Sequence, residues 1–259
     1  MKRTLIDKIP IALPDELYRY IEGADIYDSS CSPEARVYFV DKDGGCFVKV
    51  AEQGTLEREA LMTGYFHKKG LGTEVLSYHS GERDILFTAA VRGEDCTHYL
   101  DDPRRLSVLI AEQLRSLHEV EFSDCPIKDR MSEYFALAEK NYRTDSYDKS
   151  HFPDSFGYRS AEEAYAVMRE GRGELKSDVL LHGDYCLPNV MLDDWRFSGF
   201  IDLGNGGVGD RHVDLFWGAW TLAFNLGTDE YRSRFFDAYG RDVIDGDKLR
   251  TVAAAEVFG

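Results

Sequence analysis

The chain has 259 residues, 43% hydrophobic and 13% aromatic, enough for one large domain or two lobes with a sizeable core. Its net charge of −16 and pI near 4.8 argue against nucleic acid and anionic membranes as partners and suit a cationic small molecule. Five scattered cysteines without a CxxC pair, no signal-like apolar stretch over Met1 to Lys8 and no run of 18 apolar residues predict a cytoplasmic chain with free thiols and no membrane span.

In chain order, Pro14 to Tyr20 reads as a short helix with Asp15 and Glu16 in its first turn. Val37 to Val40, a Lys42-Asp43-Gly44-Gly45 turn and Cys46 to Val50 read as a hairpin. Thr55 to Lys69 is helical and ends before Gly70. Glu74 to Tyr78 and Ile85 to Thr88 are two further strands around Ser80-Gly81-Glu82-Arg83. From Asp102 the pattern is mostly helical: Arg104 to Glu119, Met131 to Arg143, Ser160 to Glu170, His212 to Leu226, Glu230 to Tyr239 and Asp247 to Phe258. The polar, aromatic stretch from Thr144 to Gly157 reads as a loop insertion near a substrate. Strands first and helices later predict an α+β fold of two lobes. Residues 1–88 would form a small β-sheet lobe with one helix, 89–93 a hinge, and 94–259 a larger, mostly helical lobe.

The most informative stretch is His182-Gly183-Asp184-Tyr185-Cys186-Leu187-Pro188-Asn189, followed by Asp202-Leu203-Gly204. Asn189 to Leu192 and Phe197 to Asp202 read as a hairpin turning at Asp193 to Arg196. Pairing centred between Trp195 and Arg196 would set Asn189 opposite Asp202, roughly 5 Å apart and within a residue or two of that register. An amide oxygen and a carboxylate that converge suit Mg²⁺, and Asp184 nearby can take a proton from a hydroxyl. These are the parts of a phosphoryl-transfer site. Each short motif taken singly is more often structural than catalytic; their order and spacing favour function. A zinc site at His182, Asp184 and Cys186 lacks a second Cys/His pair at ligand spacing.

Such a site needs a cradle for a nucleotide. Lys49 lies on an otherwise apolar strand, and the following helix carries Leu56, Glu59, Ala60, Met62 and Phe66 within an arc of about 160°. Glu59 beside that face could fix the Lys49 ammonium over phosphates. Periodicity alone leaves Glu59 equally readable as a surface acid at the edge of the stripe. No GxGxxG is present. Ser30 to Arg36, with Pro33 stiffening the turn, offers hydroxyls and backbone N–H groups instead.

These residues resemble the aminoglycoside 3'-phosphotransferases, antibiotic kinases of protein-kinase-like fold. The match is strongest over His182-Gly183-Asp184-x-Cys186-Leu187-Pro188-Asn189, Phe197-Ser198-Gly199-Phe200-Ile201-Asp202-x-Gly204 and Gly207-Val208-x-Asp210-Arg211, with Asp214 following. Weaker matches are Ser32-Pro33-x-x-x-Val37-Tyr38, Leu56 to Glu59 and Leu117-His118, so the resemblance covers nearly the whole chain.

The resemblance implies a γ-phosphoryl transfer from ATP or GTP to an aminoglycoside hydroxyl, the 3'-OH by family, with resistance as the outcome. Asp184 would orient the hydroxyl and act as base, and Asn189 and Asp202 would bind Mg²⁺. Lys49, held by Glu59, would contact the nucleotide phosphates, with Ser32 in the phosphate loop. Phe47 would stack on the base, and backbone from Thr88 to Ala90 would pair with its edge. Asp214 would brace the catalytic loop. Asp148, Glu256 and Phe258 would face the substrate. A monomer or weak dimer is expected.

Three departures bear on substrate range. The tail reads Ala255-Glu256-Val257-Phe258-Gly259 where the family ends Asp-Glu-x-Phe. Asn205 replaces a basic residue after Asp-x-Gly, and Trp220 stands where relatives often carry Arg. The loop from Asp145 to Asp154 holds three acids, at 145, 148 and 154. A kinase for another small hydroxylated compound is the alternative enzyme. A nucleotide-binding pseudoenzyme is a third reading, which the intact Lys49, Glu59, Asp184, Asn189 and Asp202 disfavour. Without a Gly-rich loop or activation segment, protein kinase activity is disfavoured as well.

Overall fold

The computed structural model describes residues 3–149 and 156–259, so Asp154 lies outside the described residues. The chain divides into two compact units, Met1–Gly93 with Met191–Gly204, and Glu94–Val190 with Asn205–Gly259.

The first unit is built on a six-stranded antiparallel sheet. Its strands are β1 (Thr4–Ile6), β2 (Asp25–Asp28), β3 (Ala35–Asp41), β4 (Cys46–Glu52), β5 (Val75–Ser80) and β6 (Arg83–Ala89), in the order β1-β2-β3-β4-β6-β5. The expected hairpin is β3–β4, with Val37 opposite Lys49 and Phe39 opposite Phe47. Alternation along β4 splits its residues between two faces. Val48 and Val50 turn into a core with Ile9, Leu13, Leu17, Tyr38, Val40 and Phe87. Phe47 and Lys49 point to the other face. The expected helix at Pro14 to Tyr20 is a 3₁₀ turn at Asp15–Leu17 running into α1 (Tyr18–Ile21). Strands β1 and β2 were not predicted, because Asp25-Ile26-Tyr27-Asp28 carries no apolar alternation strong enough to mark it.

Helix α2 (Glu57–Lys68) buries Met62, Thr63, Tyr65 and Phe66. Its N-terminus is held by Asp84, which accepts from the Leu56 amide at 2.9 Å, from Ser80 at 2.7 Å and from Tyr78 at 3.0 Å. A buried carboxylate at a helix start satisfies an orphan N–H and complements the dipole.

The second unit opens with the two-residue strand β7 (Glu94–Asp95). It is otherwise mainly helical: α3 (Pro103–His118), α4 (Arg130–Arg143) and α5 (Ala161–Gly171), followed later by α6 (His212–Leu226), α7 (Arg232–Tyr239) and α8 (Gly246–Glu256). Asp102, Asp129, Ser160 and Asp245 cap four of these helices by accepting backbone N–H bonds, as short polar residues do at N-caps. The core joins Met131, Phe135, Ala164, Met168, Val213, Val252 and Phe258.

Two small ribbons carry the motif residues. Strand β8 (Val179–Leu181) pairs antiparallel with β11 (Gly207–Gly209), Leu181 opposite Gly207. Between them, β9 (Val190–Asp193) and β10 (Arg196–Phe200) form the expected hairpin. Its turn is a two-residue one at Asp194 and Trp195, both at positive φ, as right-twisted hairpins prefer. It is therefore centred one residue earlier than the sequence suggested. Asn189 falls in a 3₁₀ turn ahead of β9, and Asp202 lies two residues beyond β10, so neither sits in the ladder.

Candidate active site

The first group of motif residues lies in the first unit. Lys49 projects from β4 toward α2, where its ammonium meets Glu59 Oε2 at 2.8 Å and Asp202 Oδ1 at 2.5 Å. Glu59 is thus the partner that the helical arc allowed, and the surface-acid alternative falls. Burial disfavours the charge on Lys49, but the two carboxylates outweigh it and hold the ammonium above its usual range. Burial, together with the charge of Asp202, pushes the Glu59 carboxyl up, while Lys49 pulls it back. One ammonium between two acids leaves the group one negative charge in excess, which favours a cation. Asp202 reaches Lys49 from a left-handed backbone, φ 61°. The β9–β10 ribbon that carries it is seated by Phe200, whose amide donates to Leu71 O at 2.8 Å and whose ring meets Phe66 edge-on.

Phe47 shares the Lys49 face, half-buried, with Phe39 5.1 Å away and Thr88 opposite it on β6. The two rings form an apolar roof suited to a flat base. The Ala90 amide donates to Gly45 O at 3.0 Å and so serves the β4–β6 connection. Ser32 is exposed at the bend before β3, its hydroxyl bonded to Glu34. Its neighbour Ser30 shapes the loop, accepting from the Val37 amide at 2.9 Å.

The second group lies in the second unit. Asp184 follows β8, and Asn189 Nδ2 donates to Asp184 Oδ2 at 2.9 Å and to its carbonyl at 3.0 Å. Asp214, fully buried on α6, accepts from the amides of His182 and Gly183, each at 2.8 Å. This is the brace expected of it. His118 adds Nε2 to Asp214 Oδ2 at 3.1 Å, with Tyr239 OH on its other nitrogen at 2.7 Å. Further along the loop, Tyr185 OH donates to Ile110 O at 2.7 Å and the Leu187 amide to Thr221 Oγ1 at 3.1 Å. Gly183 adopts φ 84°, and a Cβ there would stand 1.9 Å from Asn205 O, so only glycine fits. The loop therefore has little freedom to move Asp184.

Glu256, partly buried at the end of α8, accepts from Tyr134 OH at 2.7 Å and Trp217 Nε1 at 3.0 Å, both on Oε1. Burial raises its carboxyl to about 7, with the charge of Asp184 adding to the rise. Asp148 is exposed. Phe258 is fully buried, ringed by Tyr142, Tyr147 and Tyr165, and so shapes the loop after α4 from beneath. Sequence reasoning missed Tyr134, Trp217 and Tyr239; no local pattern marks residues whose partners are 39 to 122 positions away. Arg130 was missed too. It binds Asn205 O at 3.0 Å and Asn205 Oδ1 at 3.2 Å, beside the position that departs from the family pattern. Among the described residues no cluster of three His, Cys, Asp or Glu could hold a metal by itself.

A sheet lysine clamped by two acids, with a separate braced loop presenting an aspartate and an asparagine, is the arrangement of a phosphotransferase. A family model described as "Phosphotransferase enzyme family" matches residues 33–252. The chain belongs to that family. It is 52% identical over 249 residues, 95% of each chain, to a "Probable aminoglycoside 3'-phosphotransferase" of Lactococcus lactis subsp. lactis. An aminoglycoside 3'-phosphotransferase of Niallia circulans is 34% identical over 180 residues, covering 69% of this chain and 68% of its own. Among solved structures, an aminoglycoside-3'-phosphotransferase of type VIII superposes with TM-score 0.80 at 26% identity, covering 93% of this chain and 96% of its own. An aminoglycoside phosphotransferase from Streptomyces rimosus, solved with ADP and streptomycin, gives TM-score 0.73 at 25% identity, with coverage of 86% and 90%. The α+β kinase-like fold and a nucleotide co-substrate follow from these likenesses. No helix among the described residues is long and apolar enough to cross a membrane.

Proposed function

We propose that this chain transfers the γ-phosphoryl group of ATP or GTP to the 3'-OH of an aminoglycoside and so confers resistance. The full-length likeness to the Lactococcus protein carries the substrate class. The Lys49–Glu59–Asp202 cluster and the Asp184–Asn189 loop support the chemistry. Residues 1–88 act as the nucleotide-binding lobe, 89–93 as the hinge and 94–259 as the catalytic and substrate-binding lobe.

The attacking oxygen of the sugar bonds to the γ-phosphorus as the bond to the β–γ bridging oxygen breaks, and ADP or GDP leaves with that electron pair. Asp184 orients the hydroxyl and accepts its proton late, because the transition state of such transfers is loose. Lys49, steadied by Glu59, neutralises the α- and β-phosphates. Phe47 stacks on the base, backbone from Thr88 to Ala90 lines its edge, and Ser32 belongs to the phosphate loop. Glu256 and Asp148 hold substrate ammonium groups, and Phe258 supports the loop that carries Asp148.

The donor set fits Mg²⁺, which takes hard oxygens and shares its shell with phosphates and water. Asp202 offers a carboxylate. The Asn189 amide nitrogen is committed to Asp184, which orients its oxygen as the ligating atom. When bound, the ion would neutralise charge on the β- and γ-phosphates.

The test is nucleotide-dependent ADP or GDP release with purified protein and kanamycin, neomycin or streptomycin, followed by mass spectrometry. A drug gaining one phosphate at the 3' position is expected, with raised resistance in a susceptible bacterium. Turnover with none of them would overturn the reading.

A further inference from the structure

Helix α6 carries an aromatic stripe that the reaction above does not use. Phe216, Trp217, Trp220 and Phe224 lie within an arc of about 100°. The opposite side of the helix buries Asp214, Leu215, Gly218, Ala219 and Leu222. Trp217 and Trp220 meet edge to face at 5.3 Å. Trp220 and Phe224 stack nearly parallel, 14° apart with centroids at 4.9 Å, and Phe224 is 69% exposed. Phe156, from the loop before α5, sets its edge against Phe216 and Trp217 at 5.3 and 6.3 Å. A stacked aromatic pair whose outer ring, Phe224, is left open to water on an otherwise well-packed helix marks a surface that expects an occupant.

The stripe starts at a carboxylate. Trp217 holds Glu256 by its indole N–H, and Glu256 lies within electrostatic reach of Asp184. From the proton-accepting centre, the surface therefore runs through one acid onto successive aromatic faces. An acid followed by aromatic faces suits one chemistry above others, an amino-sugar ring. Its ammonium meets the carboxylate or a ring face, and its axial C–H face lies on the aromatic plane.

Resting on the proposed aminoglycoside reaction, we propose that Trp217, Trp220 and Phe224, with Glu256 at their inner end, form a subsite that stacks an amino-sugar ring of the acceptor and sets which aminoglycosides are used. The stripe places part of the drug by stacking, so affinity depends less on acidic groups than the cationic substrate alone would suggest. It acts on binding and leaves the phosphoryl step untouched.

The experiment compares the parent with Phe224→Ala, Phe224→Tyr and Trp220→Leu. It measures KM and kcat for kanamycin and for the nucleotide, intrinsic tryptophan fluorescence during kanamycin titration, melting temperature and mass in solution. Expected for Phe224→Ala is a KM for kanamycin higher by about fivefold, with kcat and nucleotide KM unchanged and Phe224→Tyr restoring the parent value. Trp220→Leu should raise KM similarly and weaken the kanamycin-induced fluorescence change. Phe224 is exposed, so its replacement tests the inference even if Trp220→Leu fails to fold. Parent KM in Phe224→Ala overturns the inference. So does a change confined to oligomeric state, which would give the face to a second copy. If the parent phosphorylates no aminoglycoside, the proposed function fails instead, a result distinct from an active parent with indifferent variants.

Discussion

Asn189 Nδ2 donates to Asp184 Oδ2 at 2.9 Å, so the proposed metal ligand and the proposed base are directly bonded. Each then positions the other, and their replacements should differ in kind. Asp184→Ala should cut kcat by about 10²–10⁴-fold while nucleotide affinity stays near the parent value. Asn189→Ala should lower both kcat and Mg²⁺-dependent nucleotide affinity, because it removes an oxygen ligand and frees the Asp184 carboxylate. Steady-state kinetics with nucleotide titrations at several Mg²⁺ concentrations separate the two. Equal nucleotide affinity in parent and Asn189→Ala would remove Asn189 from the metal site.

Lys49→Met leaves Glu59 and Asp202 facing each other without a cation. We expect kcat/KM for the nucleotide to fall by about 10²–10³-fold, the scale of losing one preorganised charged donor. The variant should also melt below the parent at pH 8, with a smaller deficit at pH 5, where protonation of one acid relieves the repulsion. A deficit that does not change with pH would mean that the acids do not interact.

On the proposed assignment of Glu256 to the substrate, its titration couples binding to pH. Its carboxyl sits at about 7 in the folded chain, against an ordinary 4.5, through burial first. Above pH 7 it is anionic and should bind a substrate ammonium more tightly. KM for kanamycin should therefore fall as pH rises through 7, and Glu256→Gln should flatten that limb. For stability the sign is opposite. Between 4.5 and 7 the unfolded chain has lost this proton while the folded chain keeps it, so stability declines over that window. Glu256→Gln should then gain melting temperature relative to the parent on going from pH 5 to pH 8.

Asp210 contributes to acid tolerance. Burial alone would raise its carboxyl, but the His212 ring at 2.5 Å and the amides of His212 and Lys176 hold it down to about 2. Through His212 it also reaches α8, since His212 Nε2 accepts from the Asp245 amide at 2.8 Å. The folded value is below the ordinary 3.8, so this stabilisation is complete above that value and is lost as pH falls through about 2. Asp210→Asn should cost about 1–3 kcal/mol at pH 7 in chemical denaturation, with the gap to the parent closing toward pH 2.

The sequence made some of this legible and hid the rest for physical reasons. Glu59 could be placed beside the core because a helix face has a period, and α2 keeps that face. The β9–β10 hairpin was visible, but its turn was placed one residue late, since Asp194 and Trp195 are unusual occupants of two positive-φ positions. Sequence assigned Asp202 to a metal, and the structure also gives it Lys49, a partner 153 positions away. Phe258 read as a substrate contact and proved fully buried, because tail residues carry no periodicity that separates a lining ring from a supporting one.

Asp202 holds a left-handed backbone at φ 61°, a conformation that costs most residues free energy and glycine very little. Glycine at that position would relax the chain and at the same time abolish the carboxylate. If Asp202 holds the metal as proposed, selecting variants of this protein for heat resistance alone would reward inactivation at this position, and any such campaign needs an antibiotic challenge alongside the thermal one.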